Sequence, residues 1–174
     1  RAWLEKNHQR TDKVWLILFR KHMEVDLDYP GSVEEALCFG WIDSKPNKRD
    51  GDSHYQFFSR RKPRSVWSAS NKARVERLMA TGMMTPAGLE AMEVAKNNGS
   101  WSAIDSSEAM VMPPELDTAL SKNKKASQYF HGFPPGVRKA IFQWIVSART
   151  EATRMKRVSE TVTLAEQNTR ANQW

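Results

Sequence analysis

The first strong signal along the chain is a run with no polar position in it. Val14 to Phe19 is unbroken and bulky, flanked by Lys13 and Arg20. Such a run predicts a central strand buried on both faces. Before it, residues 2–9 carry the spacing of a short helix with Trp3 and Leu4 inward. After it, Glu24 to Leu27 suits a short partner strand, and Pro30-Gly31 breaks the chain. Ser32 with Glu35 three residues on is a capping-box pattern, followed by Val33, Ala36, Leu37 and Gly40 on one helical face. That helix is expected to end near Gly40, with Trp41-Ile42-Asp43 leaving as a strand or tight turn. Residues 44–53 are polar and rich in turn formers. His54 to Ser59 then alternates, with Tyr55 and Phe57 on one face and Gln56 and Phe58 on the other, which predicts a second strand.

From Ser68 the period becomes helical. Ser68 is a candidate N-cap, and Val75, Leu78 and Met79 form the apolar side up to Gly82. Thr85-Pro86 starts the next helix, Leu89, Met92 and Ala95 face inward, and Gly99 is placed to end it. Residues 102–114 show no period and finish in Pro113-Pro114. Beyond them come two short amphipathic helices (Leu116 to Leu120, Ala126 to Phe130), a long one after Pro134-Pro135, and a final one through Met155, Val158 and Val162. The fold class this predicts is α+β and mostly helical. A small sheet unit with a basic loop occupies 1–112, and a helical subdomain occupies 113–174, together forming one compact domain.

Composition narrows the classes. Hydrophobic residues at 40% and charged residues at 27% suit a packed globular chain rather than a disordered one. No apolar run approaches the roughly 20 residues of a membrane-spanning helix, so no membrane span is expected. A single cysteine, Cys38, excludes an internal disulfide framework and a Cys-rich zinc site. The net charge is +7, and its placement says more than its size. Between Lys45 and Arg77 ten cations stand against three anions, which accounts for the whole excess. A clustered excess makes a local anion-attracting field. No secretory leader is visible in residues 1–9, and one cysteine suits a reducing compartment. The expected location is the cytoplasm, with the periplasm as the alternative should a leader precede Arg1.

The densest chemistry lies in Phe58 to Asn71. Arginines, aromatic rings and hydroxyls share a loop that leads into a helix start, where backbone N–H groups and bidentate guanidinium groups hold phosphate or carboxylate. Arg60, Arg61, Arg64, Ser68 and Asn71 are the candidates, and the ordinary structural alternative is a solvated basic loop with a serine cap. Cys38 is a reactive thiol only if a base stands beside it, and a lone cysteine on a helix usually packs as a small hydrophobe. Asp43 follows two large apolar residues and suits a base, a ligand contact or the partner of an arginine. His8, His22, His54 and His131 have no ligand spacing. Neither a metal site nor a dinucleotide or P-loop phosphate motif is present, and no cofactor is implied. Basic residues interleaved with Tyr55, Phe57, Phe58 and Trp67 also suit a nucleic-acid stacking surface, unless those rings turn into the core.

Several segments together resemble a known family. They are Trp3-Leu4, Ala36 to Asp43 (ALCFGWID), Phe58 to Asn71, Gly82 to Gly88 and Ala148 to Arg154. The chain resembles the YdeI/OmpD-associated, or bacteriocin-protection, family of bacterial proteins. The resemblance implies a part in tolerance of antimicrobial peptides or envelope stress, and it brings no catalytic residues with it. A cationic chain repels cationic peptides, so protection by direct capture is disfavoured. The expectation is a bacterial stress-associated protein that binds a small anionic ligand through Trp41, Asp43, Arg60, Arg61, Trp67, Ser68 and Asn71. The alternatives are an enzyme using Cys38 or Asp43, and a nucleic-acid binder. The oligomeric state is not set by the sequence.

Overall fold

The computed structural model describes residues 1–20, 23, 25 and 27–172. The short strand expected over 24–27 rests on residues 24 and 26, and His22 is one of the candidate histidines; these positions lie outside the described residues. The chain forms two compact units, Arg1–Ser102 and Ala103–Trp174. Among the described residues the architecture is α+β and mostly helical, as the periodicity predicts.

In the first unit α1 (Ala2–Asn7) leads to β1 (Lys13–Phe19), α2 (Tyr29–Cys38), β2 (Trp41–Lys48), β3 (Ser53–Arg60), α3 (Ala69–Ala80) and α4 (Pro86–Asn97). The strands form one antiparallel sheet in the order β1-β3-β2. β1 is therefore an edge strand, not the expected central one. Its side chains alternate between half-buried and exposed, with Leu18 buried and Trp15, Ile17 and Phe19 outward. An apolar residue on a solvated sheet face leaves the same trace in sequence as one buried on both sides. The inner face packs Phe58 and Trp41 against Val33, Ala36 and Leu37 of α2, with Trp67, Val75 and Met92 completing the core.

Local rules explain most element ends. Pro30 does not break the chain: it sits in the first turn of α2, where a missing N–H costs nothing. The cap of that helix is Asp28, whose carboxylate accepts from the Gly31 N–H at 2.8 Å. Ser32 is buried one turn in, its hydroxyl donating to the Tyr29 carbonyl at 2.7 Å, and Glu35 pairs with Arg1 at 3.1 Å instead of closing a capping box. Ser68 does cap α3, accepting from the Asn71 N–H at 3.3 Å. The polar stretch expected as a loop is largely strand, because β2 continues through a register shift between Asp43 and Pro46.

α4 is held against the end of α2 by backbone contact. The Thr85 N–H and hydroxyl both donate to the Cys38 carbonyl, at 3.1 and 2.7 Å. Gly88 is what permits this approach, since a Cβ there would stand 2.3 Å from that same oxygen. Gly40 makes the turn into β2 at φ +72°, a conformation open to glycine at little cost.

The second unit is helical: α5 (Asp105–Glu108), α6 (Pro114–Ser121), α7 (Lys124–Gly132), α8 (Pro135–Val146) and α9 (Glu151–Glu166). α9 packs on α6, α7 and α8 around Leu116, Leu120, Phe130, Phe142, Ile145 and Val158. Asn123 and Thr150 cap α7 and α9. No helix among the described residues is long and apolar enough to cross a membrane.

Candidate functional site

The basic run of the first unit is divided by strand geometry. Arg60 ends β3 and Arg61 follows it in extended backbone, their N–H groups bonding the Asp12 and Gly40 carbonyls at 2.9 Å each. Successive extended residues project to opposite sides. Arg60 reaches the end of α1, donating to the His8 carbonyl at 2.9 Å and pairing with Asp12 at 3.4 Å. Arg61 lies over the Trp67 indole, its guanidinium carbon 3.6 Å from the ring centroid. It donates through Nη1 to the Val66 carbonyl at 3.3 Å, while its Nε is buried with no hydrogen-bond partner. Burial pulls its pKa down from 12.5 to about 10, and the nearby Asp43 charge opposes the fall. Arg61 is thus cationic at neutral pH and incompletely compensated.

These side chains open on a cleft of about 510 Å³. Its floor is Phe39 and Gly40 at the end of α2. Arg60, Arg61, Lys62 and Trp67 form one wall, and Ala87, Glu90, Ala91 and Val94 of α4 form the other, with His8 at its margin. His8 is fixed by its Nδ1 bond to the Leu4 carbonyl, 2.8 Å, and by a tilted contact with the Phe39 ring, centroids 5.1 Å apart. Arg60, itself paired with Asp12, and Arg61 and Lys62 line the cleft together with one carboxylate, Glu90, and the apolar Phe39 and Val94. That arrangement suits an anion with a flat or apolar body.

The seven residues singled out from sequence do not converge. Arg60, Arg61 and Trp67 line the cleft. Trp41 is fully buried against Trp3 at 6.1 Å, edge to face, and lines a separate apolar hollow of about 190 Å³. Ser68 is spent on its cap, and the Asn71 side-chain oxygen accepts from Arg74 at 3.0 Å. Among the described residues Asp43 has no ion-pair partner within 4 Å; it accepts the Tyr29 hydroxyl at 2.6 Å. Burial, and then this bond and the carboxylate charge, push Tyr29 up to about 12. Cys38 is wholly buried, and burial pushes its thiol up, the environment of a packing residue rather than a nucleophile. Sequence reasoning missed His8, Lys62 and Glu90. Lys62 adjoins the arginines and was within reach of it, but His8 and Glu90 join the cleft only through tertiary packing. Among the described residues no three His, Cys, Asp or Glu side chains are grouped to hold a metal ion.

The molecule is thus an α+β unit bearing a basic cleft, followed in sequence by a helical unit. Residues 1–91, just over half the chain, match the family described as a domain of unknown function (DUF8412), and the chain belongs to that family. Residues 109–168 match the family described as Bacteriocin-protection, YdeI or OmpD-Associated. Of the segments that carry the resemblance in sequence, only Ala148 to Arg154 falls within this second match. The cleft lies almost wholly within the first match. No curated protein and no solved structure matches the chain.

Proposed function

We propose that the first unit binds a small anion, a phosphate or carboxylate on a compact apolar body, in the cleft beside Arg61. The supporting observation is the Arg61 side chain: half-buried over the Trp67 ring and lining an open cleft, with a buried, unpartnered Nε. A buried charge without full compensation costs stability, and an anion reaching it converts that cost into binding energy. Arg60 and Lys62 add field at the entrance, and Phe39 and Val94 meet the apolar part. In a chain that carries a bacteriocin-protection domain, the role is the sensing or holding of an anionic small molecule, not the capture of a cationic peptide.

Thermal unfolding in inorganic phosphate tests this, against sodium chloride of equal ionic strength. A ligand at a hundred times its Kd adds about 2.7 kcal/mol, a rise of several degrees for a unit of this size. Phosphate raises the midpoint of the wild type and leaves Arg61→Met unmoved. Equal shifts in both proteins, or none in either, overturn the proposal.

A further inference from the structure

The outer face of the sheet carries three aromatic rings in contact. Trp15 and Phe57 are paired across β1 and β3, with centroids 4.8 Å apart, and Trp15 meets Tyr55 edge-on at 6.3 Å. Ile17 pairs with Tyr55, and Phe19 lies further along the same row. Trp15 and Tyr55 keep 39% and 36% of their surface exposed, Ile17 and Phe19 about as much. Strand propensity accounts for aromatic residues in a sheet but not for a contiguous exposed cluster, which marks an interaction surface.

The charge around the rings narrows the partner. Lys13 shares the outer row of β1, Arg49 stands over the Tyr55 ring at 6.0 Å, and Lys45 is exposed along β2. Two acids nearby are already ion-paired: Asp12 with Arg60, and Asp50 with Arg49, its carboxylate also accepting the Ser53 N–H. Stackable rings flanked by Lys13, Lys45 and Arg49 complement a chain that alternates flat bases with phosphates. A purely apolar protein partner would leave the lysines without a counter-charge.

We infer that the outer sheet face binds single-stranded nucleic acid, with bases stacking on Trp15, Tyr55 and Phe57 and phosphates meeting Lys13, Lys45 and Arg49. Each base stacked on an aromatic side chain is worth enough that removing one ring weakens binding about tenfold. The attraction falls with salt as phosphate counterions are released. The surface is distinct from the cleft, so either proposal can fail without the other.

Fluorescence anisotropy of the full chain with a labelled twenty-base oligothymidylate provides the test, with a duplex of equal length as control. The wild type binds the single strand more tightly than the duplex, and raised salt weakens it. Trp15→Leu and Tyr55→Leu, which keep an apolar strand residue, each lose about tenfold while retaining the phosphate-dependent rise in melting temperature. Arg61→Met keeps oligonucleotide binding. The inference is overturned by no binding at low salt, by equal affinity for the duplex, or by leucine variants that bind like the wild type. It is also overturned if Arg61→Met loses as much as they do, which assigns the phosphates to the cleft. Self-association of the wild type that the leucine variants abolish, without oligonucleotide binding, would instead make the face a protein contact.

Discussion

Each unit lays an arginine on an indole ring, and the two pairs have different ends. In the helical unit Arg157 sits 5.1 Å from the Trp144 ring and donates to the Trp144 carbonyl and to the Ser147 hydroxyl, the latter at 3.0 Å. It closes the last turn of α8, where unmatched carbonyls and the helix dipole welcome a cation. In the sheet unit Arg61 sits closer, at 3.6 Å, yet has one carbonyl and an unpartnered Nε beside a cleft. A cation–π contact is a staple in one place and, in the proposed function, a binding group in the other. On that proposal the number of acceptors within reach separates the two.

The comparison breaks most violently at the backbone. The cleft exists because α4 is held against the end of α2. Gly88→Ala puts a methyl into the Cys38 carbonyl and is expected to cost at least about 3 kcal/mol, or to prevent folding of the unit. Gly136→Ala in α8, where a Cβ meets nothing within 4 Å, is expected to be neutral or to stabilise by roughly 0.5 kcal/mol. Denaturant unfolding of the two variants measures the contrast.

Next come the arginines themselves. Arg157→Met removes a charged donor from two acceptors and is expected to cost about 1–3 kcal/mol. Arg61→Met loses one carbonyl bond and the ring contact but also relieves a desolvated charge. Its unliganded stability is expected within about 1 kcal/mol of the wild type. Urea midpoints without phosphate check both; a larger loss at Arg61 than at Arg157 would show that Arg61 is a staple too.

The division of the basic run was not legible beforehand. The charge cluster, the Ser68 cap and most of the helices could be read from residue type and period. What could not be read was the parity of the extended backbone after β3, which sends Arg60 to α1 and Arg61 to Trp67. Trp15 and Ile17 read as core because only tertiary packing, which covers one face of the sheet, leaves their face outward. Ser32 read as the cap of its helix, but the helix starts earlier, with Pro30 in its first turn and Asp28 as the cap. His8 and Glu90 reach the cleft from segments remote in sequence, which no local pattern reports.

Alkaline titration sharpens the electrostatic side, with a smaller effect. Tyr29 is raised to about 12, so its contribution to stability is complete below pH 10 and is lost as pH climbs from 10 to 12. Arg61 has the opposite sign: its folded pKa is lowered to about 10, and the cost of burying its charge is relieved as pH rises from 10 to 12.5. The two oppose one another in one window, so bulk stability is a blunt readout. Tyrosinate absorbance resolves Tyr29 alone. The transition near pH 12 disappears in Tyr29→Phe and moves toward 10 in Asp43→Asn, and a transition unmoved in Asp43→Asn would remove the carboxylate from the account.

The most direct measurement follows the buried nitrogen itself. In proton–nitrogen spectra of the arginine side chains, the Arg61 Nε–H signal is assigned by its loss in Arg61→Met. It is then followed through a phosphate titration at constant ionic strength. A saturable shift of that signal, with the Arg157 signal fixed, is the predicted result; an Arg61 signal that stays in place up to saturating phosphate contradicts the claim that the cleft binds an anion through this group.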